Sequence, residues 1–412
     1  MTDTASLPPL SRFRVLELGS TIAGPFCGRL LADFGAQVIK VEDPSGDTLR
    51  SIGQKFHGKS LYAASMFRNK DTVAIDLRKP EAPDVVKALA ANCDVLIENF
   101  RPGTLEGWGL GYDTLSALNP GLVLVRISGF GQTGPYSQRP GYGVIGEAIS
   151  GLRSVNGDPD QPPARMATAL TDYITGLYGA FGAVIALLNR QFTGRGQSVD
   201  AALSECAFSF MDPYVPVYEK LGIVVERAGS RLPGSTPNNL YATQDQQFIH
   251  VAAFSDSMFK RLCNAIGQPA LAQDPRFATA EARNERPDDV DEIVARWTTA
   301  HSLVAIEQAL AAVGVPATRI FSIADIFADP HYRARGMLVP APDDDLGTVT
   351  LAAPVPHLSE TPGRIARAGR RIGQDTRRVL ATVGGYSNDQ IDRMVDARIV
   401  FEDEGQAAIR SD

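Results

Sequence analysis

The sequence predicts an α/β protein: a large domain built on a Rossmann-like, doubly wound parallel sheet, joined to a smaller α/β domain. Three observations carry this. Short apolar runs alternate with helix-forming stretches through the first third of the chain, the pattern of successive βαβ units. The chain has 412 residues, more than one hydrophobic core usually serves. A Gly/Ser/Pro-rich break at residues 224–237 interrupts the pattern before strand and helix signals resume.

The elements follow in order. RVLEL (residues 14–18) is a short buried strand, and Gly24-Pro25 opens a helix running to about Phe34. QVIKVE (37–42) and TVAIDL (72–77) are the next strands. Residues 80–91 form a helix, and DVLIENF (94–100) and LVLVRISGF (122–130) complete the first set of strands. Gly and Pro are dense from 131 to 165, a long irregular excursion of the kind that often carries function. The apolar run 174–188 reads as a helix buried on most sides, and GRGQSVDAALSECAFSFM as a strand and a further buried helix. Beyond Tyr241 come a strand at FIHVAA, helices at 255–266, 290–298 and 303–313, and a short helix started by Asp329-Pro330. A strand-like return at 347–359 and one helix after Gln374 close the chain. The division is therefore 1–224 for the large domain, 225–335 for the small domain with its linkers, and 336–412 for a C-terminal segment returning to the large domain.

Charged residues make up 21% and hydrophobic ones 44%, with a net charge of -7, the mix of a soluble globular protein. An acidic balance argues against nucleic acid as a partner, since phosphate neutralisation needs a basic face. The four cysteines lie far apart in sequence, with no histidine at metal-ligand spacing. No metal site and a reducing, cytoplasmic compartment are expected. MTDTASLPPLSRF has no apolar core and does not read as a signal peptide. The uncharged stretch after Asp172 falls just short of membrane-spanning length and contains three glycines, so it reads as a core helix, and no membrane association is expected.

Strand ends are where such sheets bind ligands, and Gly19, Asn99 and Gly129 stand at them. After RVLEL there is no GxGxxG, only Gly19 and Gly24, which weakens a nicotinamide reading. The sharpest single feature is Asp172, an acid at the head of a run with no other charge before Arg190. An N-cap, stabilising a helix by about 1 kcal/mol, and a working carboxylate are both open to it.

The blocks VLELGSTIAGPFCGRLLADFGAQVIKVEDPSGD, ENFRPGTLEGWGLGYDTL, RISGFGQTGPYSQRPGYG, TDYITGLYGA and TGRGQSVDAAL, in this order, resemble the family III CoA-transferases, which include relatives that racemise 2-methylacyl-CoA. The resemblance covers nearly the whole chain and is weaker beyond about Val225. It implies that Asp172 is the nucleophile, that CoA enters as an acyl-CoA substrate, and that the protein is an interlocked homodimer. It also implies CoA contacts from Asn99 and Phe100, and a pantetheine channel lined from Ile22, Ala23, Ile75 and Leu77. Arg101 suits a phosphate. Glycines of the Gly129-Phe130-Gly131 loop can offer N–H donors to an oxyanion, and Gly176 and Gly179, on the Asp172 face, would let a bulky thioester approach. Three departures bear on the phosphates and the substrate. Asp43 stands where members often have Arg, Gly107 where some have a basic residue, and the glycine-only loop of formyl-CoA transferases is missing at 224–237.

Moving CoA between carboxylic acids exchanges one thioester for another and calls for neither metal nor ATP. A racemase would need a second acid–base group. Family racemases put a His where this chain has Tyr142, and its five histidines all lie elsewhere. A phenol that ordinarily titrates near pH 10 suits proton abstraction poorly, so transfer is favoured over racemisation. A non-catalytic CoA-binding module is the third reading, and it leaves Asp172 without work. Arg139, Arg153 and Arg165 precede the acid, and one of them could hold the second carboxylate of a dicarboxylic substrate such as succinyl-CoA.

Overall fold

The structure, a computed structural model, describes residues 7–403. Residues 1–6, part of the segment MTDTASLPPLSRF that does not read as a signal peptide, and the last nine residues lie outside them. The described chain forms two units by packing.

The first unit comprises residues 7–152, 166–219 and 331–403. Its seven-stranded sheet uses β1 (Arg14–Glu17), β2 (Gln37–Glu42), β3 (Lys70–Ile75), β4 (Val95–Glu98), β5 (Val123–Ser128), β6 (Ser198–Ala202) and β7 (Val400–Phe401) in the order β7-β3-β2-β1-β4-β5-β6. All pairings are parallel except β7 on β3. Strand order reverses between β1 and β4, and at such a switch point the loops leaving the strands splay apart into a crevice.

Both sheet faces are covered, so the strands are buried at most positions, at charged residues such as Glu17, Lys40, Lys70 and Glu98 as well as at apolar ones. Leu16, Ile39, Val73, Ile75 and Leu96 face one core with α2 (Ala82–Ala90) and the C-terminal helices. Val15, Val38, Val95, Val123 and Val125 face the other. There they meet α1 (Ala23–Asp33) and, after α3 (Gly143–Ile149), the 24-residue helix α4 (Leu170–Thr193).

Helix α4 departs from the expectation in three ways. It starts at Leu170 with Ala169 at the cap, so Asp172 lies inside the first turn and is not the N-cap. At 24 residues it is long and apolar enough to cross a membrane by length and composition, although half of its apolar window is buried inside the protein. It is buried on one face only, and Leu177, Phe181, Leu188 and Phe192 are exposed on the other.

Gly176 and Gly179 also serve a purpose different from the expected one. A Cβ on Gly176 would sit 2.6 Å from the Ala23 carbonyl oxygen, and one on Gly179 would sit 3.3 Å from Cys27 Sγ. These glycines let α4 lie close against α1, and a thioester has no room on that face.

Two helices, Thr376–Thr382 and Asn388–Asp396, follow Gln374 where one was expected. The expected return at 347–359 is a strand over Gly347–Ala352, paired in a hairpin with Leu338–Asp343.

The second unit comprises residues 153–165 and 220–330. Residues 153–165, which the linear division leaves with the large domain, pack here. Three antiparallel strands, Ala317–Arg319, Phe248–Ala252 and Asn238–Ala242, share a core with helices Asp256–Ala265, Pro287–Thr298 and Leu303–Ala312. Arg283 is fully buried in it and donates to the carbonyls of Thr236, Phe277 and Phe254.

Candidate active site

The β1 and β4 ends build the site. Past β4 the chain turns through Asn99, whose side-chain amide accepts from the Ser20 N–H and donates to the Ser20 carbonyl, both at 2.8 Å. The two loops of the switch point are thereby tied together. Gly19 and Gly24 pack against each other beside Asn99, with a Cβ on either falling 3.1 Å from the other's Cα.

The same loop is held from below by buried charge. Lys40 Nζ reaches Asp47 at 2.8 Å and Glu17 at 3.3 Å, Lys70 Nζ reaches Glu17 at 2.6 Å, and all four side chains are at most 1% exposed. Lys40 also donates to the Gly19 carbonyl at 2.8 Å, and Asp47 accepts the N–H groups of Thr21 and Leu49. Burial alone would raise the Asp47 carboxyl, but the Lys40 charge and these hydrogen bonds outweigh it and hold it low. Thr21 is thus kept at φ 66°, a left-handed conformation rare outside glycine. Strain held in place by surrounding structure is common beside functional sites.

Above this platform lies a cleft of about 220 Å³. Ser20 to Ala23, Asn99 to Pro102, Ile127 to Gly129, Arg139 to Tyr142, Asp172 and Leu203 line it. Of the residues picked from the sequence, Ile22, Ala23, Asn99, Phe100, Arg101, Gly129, Tyr142 and Asp172 meet here. Helix α1 begins in this wall at Ala23 with no side-chain cap, so its first N–H groups favour an anion. Asp172 is partly buried, and a Cβ on Gly143 would fall 1.9 Å from its Oδ2. The carboxylate therefore occupies the space that Gly143 leaves empty. Its charge is felt by Tyr62, whose hydroxyl lies 2.9 Å from that of Tyr173. Burial, then the Tyr173 bond, then Asp172 push Tyr62 well above its ordinary value.

A second cleft of about 310 Å³ adjoins the first and shares Ser20 and Phe100 with it. Ile75 and Leu77 line this one, with Leu18, Val41, Asp43, Thr48, Arg78 and Trp108. Phe100 stands between the two, edge-on to Trp108 at 5.1 Å. Together the clefts run from the exposed Arg78, in an otherwise acidic and apolar wall, to the Asp172 carboxylate.

Two expectations are corrected. Phe130 lines neither cleft, because its ring packs edge-on against Tyr136 at 5.9 Å. The Gly131 N–H donates to Ser128 Oγ at 2.9 Å and is not available to an oxyanion. Gly129 does line the cleft, where its Cα meets Gly141 so closely that a Cβ would fall 2.8 Å away.

The sequence reading missed Arg78, which pairs with Asp43 at 3.3 Å and Asp76 at 2.7 Å. Its signal was available: a cation just past a strand end, answering the acid at 43. Ser20, Thr21 and Gly143 were missed as well, and no local pattern marks them.

A parallel switch-point crevice thus holds a partly buried carboxylate beside an adjoining groove, and relatives of known class say what such a site handles. The family model for CoA-transferase family III matches residues 10–376, and the chain belongs to that family. The protein is a CoA-transferase. It is 43% identical over 394 residues to a succinyl-CoA–D-citramalate CoA-transferase of Chloroflexus aurantiacus, covering 95% of this chain and 98% of that one. It is 41% identical to the beta subunit of a succinyl-CoA–L-malate CoA-transferase of the same organism, covering 97% and 100%. Among solved structures it resembles a CAIB/BAIF family protein from Brucella suis, with a TM-score of 0.81 at 33% identity over 92% of this chain and 100% of that one.

Proposed function

We propose that this enzyme moves CoA from succinyl-CoA to a dicarboxylic or hydroxy acid through covalent intermediates on Asp172. One observation carries the reading: the Asp172 carboxylate lines the same cleft as the Ser20–Ala23 and Asn99–Arg101 loops, where a groove suited to an extended cofactor ends. The names of the similar enzymes, which act on succinyl-CoA with citramalate or malate, support the substrate class.

An Asp172 oxygen attacks the thioester carbonyl, the C–S bond breaks, and CoA leaves as thiolate with a mixed anhydride formed. The thiolate then attacks the aspartyl carbonyl, giving an aspartyl-CoA thioester and releasing the donor acid as carboxylate. The acceptor carboxylate attacks that thioester, expels thiolate again and forms a second anhydride. Thiolate attack on the acceptor carbonyl releases the new acyl-CoA and restores the Asp172 carboxylate. No net proton is gained or lost. Ile22, Ala23, Ile75, Leu77, Asn99 and Phe100 line the pantetheine path, and Arg101 and Arg78 meet CoA phosphates. The working form is an interlocked homodimer in the cytoplasm, its partner subunit shielding the intermediates from water. Exposed apolar side chains on α4 and four free cysteines support those two points.

Hydroxylamine added during turnover with succinyl-CoA should convert Asp172 to its hydroxamate, seen by peptide mass spectrometry, and Asp172→Ala should abolish transfer. Full activity in Asp172→Ala, or α-proton exchange in a 2-methylacyl-CoA without any acceptor acid, would overturn the proposal.

A further inference from the structure

We infer that Arg139 selects substrates bearing a second carboxylate, by pairing with the far carboxylate of a dicarboxylic donor or acceptor while Asp172 acts at the near end. This rests on the transferase reading above.

Of the three arginines that precede the acid, Arg139 is the one in the wall of the Asp172 cleft. Arg153 and Arg165 belong to the segment that packs in the second unit, where Arg153 Nε donates to the Pro163 carbonyl at 3.3 Å.

The surroundings of Arg139 differ from those of the protein's structural arginines. Arg126 is held by Glu98 and Glu106, Arg190 by Asp94, and Arg50 by Glu42. No carboxylate pairs with Arg139 among the described residues. Its guanidinium carbon stands over the Tyr136 ring, 3.7 Å from the centroid. Stacking engages the face of the guanidinium and leaves its in-plane N–H groups for a planar, bidentate partner. A carboxylate is such a partner.

The backbone holds this arginine in register with the nucleophile. The Arg139 N–H donates to the Tyr136 carbonyl at 2.8 Å. Two residues on, Gly141 presses against Gly129 at the end of β5. Four residue steps, at most about 14 Å of extended chain, separate Arg139 from Gly143, which touches the Asp172 carboxylate.

Arg101 also lines the cleft, but it directly follows Phe100, which opens onto the adjoining groove. That position suits the CoA moiety, common to all donors. Arg139 forms no bond in any step, and its contribution is to distinguish one acyl group from another.

The test compares kcat/KM for succinyl-CoA and butyryl-CoA, of equal chain length but differing in the far carboxylate, with malate as fixed acceptor. Wild type should prefer succinyl-CoA. Arg139→Gln should lower the succinyl-to-butyryl ratio about 10- to 100-fold, with Arg139→Lys between. Arg101→Ala should lower both donors and keep the ratio. If wild type transfers CoA but shows no succinyl preference, or Arg139→Gln keeps that preference, the inference falls alone. If wild type moves CoA to malate from neither donor, the succinyl-CoA substrate reading proposed above falls and takes this inference with it.

Discussion

At the scale of single residues, a glycine limits what the acid can do. Asp172 Oδ2 fills the volume that a Gly143 side chain would occupy. A methyl group there displaces the carboxylate, and misplacement of a reacting group by about 1 Å can lower rates on the order of 100-fold. Gly143→Ala should therefore reduce kcat about 10- to 100-fold with little change in melting temperature. Unchanged kcat would mean that the carboxylate reacts from a different position. The importance of this glycine could not be read from RPGYGVIGEA, because nothing local indicates that residue 143 touches residue 172. Asp172 itself was legible, since an isolated charge at the head of an apolar run is visible in one dimension. Its place in the first helical turn was not, because helix starts are set by hydrogen bonds that composition only biases.

At the scale of elements, β4 brings Glu98 into the protein interior at 1% exposure. Its carboxylate accepts from the Phe100 N–H at 2.8 Å and pairs with Arg126 at 2.9 Å. Burial, opposed by Arg126, pushes this carboxyl up to about 7. Between its unfolded value near 4.5 and that folded value, the native state binds more protons than the unfolded one. The contribution of Glu98 to stability therefore falls as pH rises through this window and levels off above it. Replacing Glu98 with Gln should remove the slope. Unfolding free energies for the pair, from denaturant titrations at pH 4.5 to 7, should shift toward the variant by on the order of 1 to 3 kcal/mol as pH rises. Parallel curves would show that Glu98 stays ionised throughout. The strand itself was clear from DVLIENF, whereas the cation paired with its glutamate, Arg126, comes from β5 and required the fold.

At the scale of the whole molecule, α4 leaves an apolar face uncovered. Phe181 is 60% exposed and Leu177 55%. With Pro9, Leu30, Phe34, Val355 and Leu358 they line a groove of about 400 Å³ with almost no polar surface. Apolar patches of this kind mark association surfaces. On the homodimer proposal, Phe181→Asp should convert a dimer to monomer in light scattering and reduce transfer activity with it. A wild-type monomer with full activity would remove the need for a partner subunit. The sequence reading placed this helix inside because an uncharged run looks the same whether the chain or a second copy covers it.

The alternation of apolar runs, the ordered blocks and the lone acid carried the α/β class, the family and Asp172, because each is a local pattern or a matter of order along the chain. Pairings between distant residues decided the rest: Asn99 clamping Ser20, Lys40 and Asp47 holding a strained Thr21, Gly143 making space for the acid, and Arg139 in place of Arg153 or Arg165 at the cleft. Those contacts depend on where the sheet reverses its strand order, and that reversal becomes a position in space only when the strands are packed.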